Sequence, residues 1–299
     1  MFDNDEEIKQ GTTYIIILNY NGWPDTVACL ASVAKLRDAA YKIVVVDNGS
    51  VDASVAKLNE WVGNHPNVPI TLLTSAKNLG YSGGNNIGVK YALAQDDCSY
   101  LWILNNDTEV DPYALKYMLE RCDEGYDGVG STIMDFSRRT KVQLVGGRIN
   151  WTNFSLESVG SGCDINALRA DMEICTLSGP SFLLRRAVVD KIGVFDDTFF
   201  LYCEELDYAF RAEQAGFAFS YAVKALVYHK ESASTGKKST SFRDYHLYRS
   251  WLLFVGRHCK ERLPKLRALC RKLMRQRLRH LHFKRAWALH KALSETENT

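Results

Sequence analysis

Three apolar runs of this chain end in polar residues that could bind a nucleotide and a divalent cation. A carboxylate such as Asp107, in a loop after a buried strand, suits Mg²⁺ or Mn²⁺, which take oxygen ligands and bridge phosphates. Asp47 suits a hydrogen bond to a nucleobase or ribose. The same residue types also cap helices and form turns, so the functional interpretation requires that all three ends meet. The candidates are Asn19 and Asn21 after the run 14–18, Asp47 after the run 42–46, and Asn106 and Asp107 after the run 100–104.

A segment rich in Gly and Asn, residues 78–88, leads into a predicted helix. Its glycines would let the backbone approach a ligand and present N–H groups to anionic oxygen. No Gly-Lys-Ser/Thr follows, which excludes the phosphate loop of ATPases. The first apolar run does not lead into Gly-x-Gly-x-x-Gly either, which argues against nicotinamide or flavin binding. The alternative is a tight loop with Asn caps. The candidates for nucleotide contact in this segment are Asn78, Gly80 and Asn86.

The segment 202–211 carries three carboxylates within four residues. In a helix, Glu204, Asp207 and Arg211 fall on one side, whereas Glu205 lies about 100° away. Repulsion among carboxylates in a desolvated site raises the pKa of at least one of them, which is what a general base requires. Glu205 and Asp207 are therefore catalytic candidates and Arg211 is a candidate donor-binding residue. The alternative is a solvated charged face.

His229 ends a further apolar run, residues 225–229. A lone His is more often a core or surface residue than a ligand. Any functional role for it therefore depends on the residues that lie beside it.

The elements that must position these residues alternate along the first hundred residues. Apolar runs at 14–18, 42–46, 70–73 and 100–104 are separated by helical patterns at 23–37, 51–61 and 85–95. This alternation predicts an α/β fold with a mainly parallel sheet covered on both faces, in which ligands bind beyond the carboxyl ends of the strands. The pattern weakens from 123 to 174. It returns at 177–189 and at 199–216, where Gly216 ends a predicted helix.

Charge is distributed unevenly along the 299 residues. From Arg243 to the end, the chain has fifteen Lys and Arg and four Asp and Glu. The rest of the chain therefore has 22 basic and 31 acidic residues. We therefore predict a catalytic domain at 1–240, which includes a mobile loop or linker at 231–240, and a basic helical extension at 241–299, interrupted near Pro264.

A basic amphipathic helix favours an anionic membrane surface. Packing on the catalytic body is the alternative. Nucleic-acid binding is not expected, because no recognition motif accompanies the charge.

The remaining features favour a cytoplasmic protein. The acidic start lacks the basic and apolar regions of a signal peptide, and no apolar run reaches the ~18 residues that span a bilayer. The eight cysteines are scattered and form no Cys-x-x-Cys pair. We expect reduced thiols in the cytoplasm, with peripheral attachment at the inner face of the cell membrane as a further expectation.

Taken in order, these segments resemble family 2 glycosyltransferases of the GT-A fold, in particular the rhamnosyltransferase-like branch of bacteria. The resembling stretch covers about residues 12–229. Its motifs are Asn19-Tyr20-Asn21, Val46-Asp47-Asn48-Gly49-Ser50, Asn78-x-Gly80-Tyr81 through Gly88, Leu104-Asn105-Asn106-Asp107, Ser178-Gly179-Pro180, Gly193-x-Phe195-Asp196, and Glu204-Glu205-x-Asp207-x-x-x-Arg211. Each is modest, and their order and spacing together are specific.

The resemblance implies roles for individual residues. Asp47 would contact the base or ribose of the donor, Asn86 and the glycine segment would lie against the nucleotide, and Asp107 would bind Mg²⁺ or Mn²⁺, with His229 completing the coordination. Glu205 occupies the position of the catalytic base. Two departures stand out: the family usually has Glu-Asp where this chain has Glu-Glu, and many members have Asp at the position of Asn105.

The implied reaction is a single in-line displacement that inverts the anomeric carbon. The donor would be a dTDP- or UDP-sugar, with rhamnose suggested by the resemblance, and the acceptor a glycan or lipid-linked glycan in bacterial cell-surface polysaccharide synthesis. Two other functions remain open. A sugar nucleotidyltransferase should have a Gly-rich loop with Arg and Lys directly after the first strand, and Asn19-Tyr20-Asn21-Gly22 does not supply it. A non-catalytic nucleotide-sugar or glycan-binding protein of the same fold is the second alternative.

Overall fold

The computed structural model describes residues 11–230 and 240–297. The linker predicted at 231–240 lies outside the described residues, apart from Thr240. In chain order, the strands are β1 (Thr12–Asn19), β2 (Tyr41–Asp47), β3 (Ile70–Thr74), β4 (Cys98–Asn105), β5 (Thr108–Val110), β6 (Gly128–Asp135), β7 (Val142–Leu144), β8 (Gly146–Asn150), β9 (Ser155–Val159), β10 (Thr176–Leu177), β11 (Ser181–Arg185) and β12 (Phe219–His229). The α-helices are α1 (Trp23–Val33), α2 (Ser54–Asn64), α3 (Gly80–Leu93), α4 (Ala114–Asp123), α5 (Arg186–Ile192), α6 (Glu204–Gln214), α7 (Thr240–His258), α8 (Leu263–Arg279) and α9 (Phe283–Glu295).

The central sheet has the strand order β3-β2-β1-β4-β11-β6-β12-β5, with β7 beside β6. The first four strands are parallel, as predicted from the alternation of strands and helices. Strand β11 is antiparallel to both β4 and β6, so the sheet as a whole is mixed.

Helices cover both faces of this sheet because the apolar runs send alternate side chains to opposite sides. On one face Ile15, Ile17 and Trp102 pack in a buried cluster with residues of α1 and α4. On the other face Ile16 and Leu101 pack with residues of α3, α5 and α6. The result is a layered α/β arrangement, with helices on both sides of the sheet.

A small antiparallel sheet, β10-β8-β9, occupies the region where the helical and strand patterns are weak. Its strands are two to five residues long, and its outer strand β9 is half-exposed. Short half-exposed strands have little hydrophobic periodicity, so elements of this kind leave only a faint pattern along the chain.

The basic helices α7, α8 and α9 pack on the catalytic body. Trp251 and Phe254 of α7 and Leu266 of α8 share a buried cluster with Phe199 and with Leu206 of α6. The interruption predicted near Pro264 is present, because α7 ends at His258 and Pro264 lies in the first turn of α8. Helix α7 starts at Thr240, and the extension shares its core with the body.

Candidate active site

The ends of three neighbouring strands meet in one buried hydrogen-bond network. Strand pairing sets Asn19 opposite Asp47 and places the end of β4 on the other side of β1. Asn19 donates from Nδ2 to Asp47 Oδ1 at 2.7 Å and accepts at Oδ1 from Thr26 Oγ1 at 2.8 Å. Asn106 donates to the same Thr26 hydroxyl at 2.9 Å. The three polar ends that the sequence singles out are therefore in contact with one another.

The residue Asp47 is 99% removed from solvent, and its second carboxylate oxygen accepts from the Ser50 N–H at 3.0 Å. Asn21 holds the same loop from the other side: its backbone N–H donates to Ser50 Oγ and its side chain accepts from the Val51 N–H, both at 2.8 Å. Asn21 is exposed and has a φ of 50°. These bonds fix the shape of the loop after β2.

Asn48 is a site residue that sequence reasoning does not single out by itself. Its buried side chain donates to Asn78 Oδ1 at 3.1 Å and to the Gly80 carbonyl at 2.9 Å, and it accepts from the Leu79 N–H at 3.0 Å. The end of β2 is thereby tied to the start of α3. In the sequence, only its position directly after Asp47 points to Asn48. Its partner Asn78, thirty residues further along the chain, cannot be identified from spacing.

The glycine segment is part of a helix, which corrects the prediction of a ligand-binding loop ahead of residue 85. Helix α3 begins at Gly80, and its later glycines allow close packing on the sheet. A Cβ at Gly84 would lie 2.5 Å from Leu18 Cδ1, and one at Gly88 would lie 2.6 Å from Ile16 Cγ2. Gly80 itself has a φ of +77°, and a Cβ there would lie 2.3 Å from the Phe200 carbonyl oxygen.

Asn86 has a structural role in this helix. Its Nδ2 donates to the Phe195 carbonyl at 2.8 Å and its Oδ1 accepts from the Phe195 N–H at 3.0 Å. Both ends of a buried amide are thus used to hold the chain ahead of α6. Asn86 does not line the pocket at the strand ends, whereas Asn78 and Gly80 do.

Asp107 and His229 lie beside each other because β5, which follows Asp107, pairs with the end of β12. Their closest atoms, Asp107 Oδ1 and His229 Nε2, are 3.3 Å apart. On the other side of the ring, Nδ1 lies 2.8 Å from Gln143 Oε1, an oxygen that can only accept, so Nδ1 carries a hydrogen. The orienting Gln143 lies on β7 and has no signal in the sequence.

The donor set at this pair fits a divalent cation. Nε2 of His229 faces the Asp107 carboxylate, so an imidazole nitrogen and a carboxylate oxygen lie side by side, and both are groups that bind divalent cations. No group of three His, Cys, Asp or Glu side chains with metal-site geometry occurs within residues 11–230 and 240–297. Remaining ligands would be diphosphate oxygens and water, which is common for Mg²⁺ and Mn²⁺.

Two carboxylates lie at the start of α6. The backbone enters this helix through Tyr202 and Cys203, which have φ values of 70° and 64°. Consecutive left-handed residues other than Gly are strained, and such strain is concentrated at functional sites. The turn presents Glu204 and Glu205, and each has one buried oxygen, Oε2, without a hydrogen-bond partner.

Burial sets the charge state of this pair. It raises the pKa of Glu204 well above the ordinary carboxyl value, and the neighbouring charge of Glu205 adds to the shift. Burial also raises the pKa of Glu205, although a backbone hydrogen bond opposes the change. A carboxyl whose pKa is raised toward neutrality is a competent general base.

A pocket of about 260 Å³ opens where these elements converge. Glu204 lines it directly, and Glu205 borders it, since a Cβ built on the pocket residue Gly179 would lie 3.4 Å from Glu205 Oε1. The other polar lining residues come from the strand ends and the starts of α3 and α6. They are Tyr20, Asn48, Asn78, Tyr81, Asn105, Asn106 and Tyr202.

Tyr81 lies close enough to Asp107 and to the carboxylate pair Glu204–Glu205 to feel the charge of all three. It lines the pocket, and its hydroxyl donates to the Gly179 carbonyl at 2.9 Å. Burial raises the pKa of this phenol well above its ordinary value, and three carboxylates contribute further to the increase. Those carboxylates are Glu204, Glu205 and Asp107.

The sequence predicts that Asp207 is catalytic and that Arg211 binds the donor, but both residues make contacts away from the pocket. Asp207 is buried and accepts from Arg211 Nε and from His258 Nε2, both at 2.8 Å. Arg211 also donates to the carbonyls of Ile192 and Val194. Neither residue lines the pocket. The i, i+4 pairing expected from the sequence is present, and through His258 it joins α6 to α7.

Comparison with known proteins agrees with this geometry. The family model described as "Glycosyl transferase family 2" matches residues 14–193, more than half of the chain. The protein therefore belongs to glycosyltransferase family 2. It is a glycosyltransferase, an enzyme that uses nucleotide-sugar donors in glycan biosynthesis, and it is similar to the rhamnosyltransferases of that family.

Individual relatives are distant. An N-acetylglucosaminyl-diphospho-decaprenol L-rhamnosyltransferase of Mycobacterium tuberculosis is 24% identical over 270 residues, which cover 82% of this chain and 84% of the relative. The mannosyltransferase PcManGT from Pyrobaculum calidifontis, solved with GDP-Man and Mn²⁺, has a TM-score of 0.60 at 12% identity, with 97% and 88% of the two chains covered. GalNAc-T7, solved with UDP, GalNAc and Mn²⁺, has a TM-score of 0.65 at 16% identity, and the match covers 84% of this chain and 48% of that one.

Proposed function

We propose that this enzyme transfers a sugar, with inversion, from a dTDP- or UDP-sugar to a hydroxyl of a glycan or lipid-linked glycan, using Mg²⁺ or Mn²⁺. One observation carries the proposal. Two carboxylates with buried, unpaired oxygens, on Glu204 and Glu205, meet a pocket that is also lined by Asn48 and Asn106, and Asn106 is hydrogen-bonded through Thr26 to the buried strand-end pair of Asn19 and Asp47. A base and a polar nucleotide site on two sides of one cavity are what an in-line displacement needs.

The donor would lie over the strand ends, with its nucleoside toward Asp47 and its diphosphate toward Asp107. Asp47 is held rigid by Asn19 and Ser50, so its orientation is fixed before the donor binds. Asp107 and His229 would hold the divalent cation. When bound, that cation supplies positive charge against which the leaving diphosphate is stabilised.

The acceptor hydroxyl would enter on the side of α6. Glu205 is the proposed general base, because it matches the base position of the family and borders the pocket at Gly179. Its carboxylate removes the hydroxyl proton as the oxygen attacks the anomeric carbon from the face opposite the leaving group, which inverts that carbon. Tyr81 and Glu204 form the adjoining wall.

The sugar and acceptor classes are proposed from likeness. The Mycobacterium tuberculosis relative is named for transfer of L-rhamnose to a diphospho-decaprenol acceptor. We accordingly propose a rhamnosyl donor, a polyprenyl-linked acceptor and a place in cell-surface polysaccharide synthesis at the cytoplasmic face of the membrane. Within residues 11–230 and 240–297 no helix is long and apolar enough to cross a membrane.

The test is a panel of nucleotide sugars, with Mg²⁺, Mn²⁺ or chelator, assayed for release of nucleoside diphosphate with and without a polyprenyl-diphospho-sugar acceptor. Glycosidic product of inverted configuration, seen by NMR and dependent on metal, is the expected result.

Glu205→Gln should reduce transfer about 10²–10⁴-fold, with Glu204→Gln as the matched control. Binding of nucleotide sugars without turnover under any condition would favour the non-catalytic alternative. Formation of a nucleotide sugar from a sugar phosphate would favour a nucleotidyltransferase.

A further inference from the structure

Large apolar side chains are exposed mostly at one corner of the described molecule. Six of them are exposed in all, and four of these fall within residues 278–287, at the end of α8, the following turn and the start of α9. In that turn Leu281 is 72% exposed and has a φ of 60°. Phe283 and Trp287 are 61% and 62% exposed. We call the surface formed by Leu278, Leu281, Phe283 and Trp287 the α8–α9 corner.

A groove extends from this corner between α9 and α7. Phe283, Trp287 and Lys291 recur every four residues, so they form a stripe along one side of α9. Opposite them lie Phe242 and Tyr245 of α7, and the groove has a volume of about 580 Å³. The Lys291 ammonium lies over two of these rings, 4.7 Å from the centroid of Tyr245 and 5.6 Å from that of Trp287. Aromatic rings interleaved with lysines are typical of surfaces that meet lipid headgroups.

The cations around the corner are largely unneutralised. Two of the arginines, Arg277 and Arg285, are paired with Asp244. Within residues 272–284, four other cations are exposed and form no ion pair with any described residue: Lys272, Arg275, Arg279 and Lys284. On α8 the stripe 272–275–279 lies opposite the buried Leu266 and Cys270, which pack on the body. Outward positive charge beside exposed apolar rings fits an anionic surface, and it opposes contact with the same corner of a second copy of this chain.

The groove adjoins the catalytic pocket. Phe200, which lines the pocket, stacks on His246 of α7 with ring centroids 4.9 Å apart. His246 also contacts the two α7 residues of the groove, Phe242 at 4.3 Å and Tyr245 at 4.8 Å. A single side chain thus separates the pocket wall from the aromatic groove.

We propose that the α8–α9 corner docks on an anionic lipid bilayer. Leu281, Phe283 and Trp287 would enter the interfacial layer while the surrounding Lys and Arg lie against anionic headgroups. Docking in this way turns the groove, and the pocket next to it, toward the membrane. The docking itself is independent of the catalytic assignment. Only the benefit of the orientation, access to a lipid-linked acceptor, rests on the proposed function.

The experiment uses the full chain in vesicle flotation, with phosphatidylcholine alone or mixed with phosphatidylglycerol. We expect binding to the mixed vesicles, reduced about tenfold or more in Phe283→Ser/Trp287→Ser, since each ring loses interfacial burial. Tyr113→Ser removes an exposed ring outside the corner and is the matched control, with binding unchanged. Arg275→Gln/Arg279→Gln/Lys284→Gln should lose the preference for phosphatidylglycerol.

Donor hydrolysis and melting temperature, measured on every variant, separate docking from catalysis and from misfolding. The proposal is overturned if the wild type fails to float with anionic vesicles or if the Phe283/Trp287 variant floats as well as the wild type. A change in oligomeric state of that variant on size-exclusion chromatography, without a change in flotation, would show a protein interface instead. Retained docking with no sugar transfer would contradict the proposed function and leave this inference standing.

Discussion

At the scale of single residues, Asp107 distinguishes a metal-assisted enzyme from a scaffold of the same shape. It is 96% buried, and its carboxylate lies 3.3 Å from His229 Nε2, while Gln143 orients the far side of the ring. We predict that Asp107→Ala abolishes transfer and leaves the fold intact. The check is a steady-state assay together with circular dichroism. Wild-type turnover by this variant would refute the metal assignment.

Glu204 illustrates how a site residue can lower stability. Its pKa is raised in the folded state above the ordinary value of 4.5, so the folded protein binds more protons than the unfolded chain as the pH rises from that value. Stability contributed by this group is therefore lost as the pH rises through the raised pKa. Glu204→Gln removes the charged form and should increase the free energy of unfolding at neutral pH by about 1–3 kcal/mol.

This stabilisation should fade in acid, where Glu204 is protonated in both states. Denaturant melts of the variant and the wild type at a series of pH values provide the measurement. A variant less stable than the wild type at neutral pH would show that interactions in the folded protein offset the cost of burying the Glu204 carboxylate.

At the scale of elements, the close packing of α3 on β1 positions the pocket residues at the start of that helix. A Cβ at Gly84 would lie 2.5 Å from Leu18 Cδ1 and 2.9 Å from Asn48 Nδ2. Gly84→Ala should therefore destabilise the protein by about 1–3 kcal/mol through overpacking and weaken donor binding, because Asn48 and Leu18 both line the pocket.

Gly63→Ala is the matched control for that substitution. Gly63 lies in α2, and a Cβ there meets nothing within 4 Å. Alanine is the better helix former by about 0.5–1 kcal/mol, so this variant should be slightly more stable, with unchanged activity. Equal melting temperatures for the two variants would contradict the packing account.

The elements also show what a sequence can and cannot predict. The strand ends at Asn19, Asp47 and Asp107 are predictable because buried strands are continuous apolar runs and parallel strands must present their carboxyl ends together. The prediction for the start of α3 is wrong, because a Gly that allows a helix to pack closely against a sheet cannot be distinguished in the sequence from a Gly in a loop. Gln143 escapes prediction altogether, since an orienting contact from a distant strand leaves no local pattern.

The same distinction applies to α6. Repulsion among its three carboxylates in a desolvated site predicts a raised pKa for at least one of them. Burial is the main cause that raises the pKa of both Glu204 and Glu205, and the charge of Glu205 adds to the shift of Glu204. Asp207 has the same chemistry and the same helix, but it faces His258 of α7. Only the tertiary packing of the basic helices separates a catalytic candidate from a structural one.

At the scale of the whole molecule, the basic helices are part of the enzyme's core. Trp251, Phe254 and Leu266 pack against Phe199 and Leu206, and Leu206 directly follows Glu204 and Glu205 in α6. Removing residues 241–299 would expose that cluster. We predict that the truncated protein is insoluble or unfolded, measured by expression and circular dichroism, so point variants are the appropriate way to study the extension. A stable, active truncated enzyme would contradict this packing.

Asp244 provides a milder test of the same assembly. It lies on α7 and pairs with Arg277 of α8 and Arg285 of α9, at 3.1 and 2.6 Å. Asp244→Ala leaves these arginines without this partner in a part-buried site and should cost about 3 kcal/mol, seen as a lower midpoint of denaturant unfolding. Glu60→Ala removes the exposed partner of Lys57 and serves as the comparison, with a small effect expected. Equal shifts in the two variants would mean that the extension is held by apolar packing alone.

The most direct test of the central claim is calorimetric titration of UDP and dTDP into the wild type and Asp107→Ala, with and without Mn²⁺. If the strand ends and Asp107 form one site for a diphosphate and its cation, at least one nucleotide will bind the wild type tightly only in the presence of metal. The variant will then bind weakly in both conditions at an unchanged melting temperature. Tight nucleotide binding by the variant, or binding by the wild type that is indifferent to metal, would contradict the account.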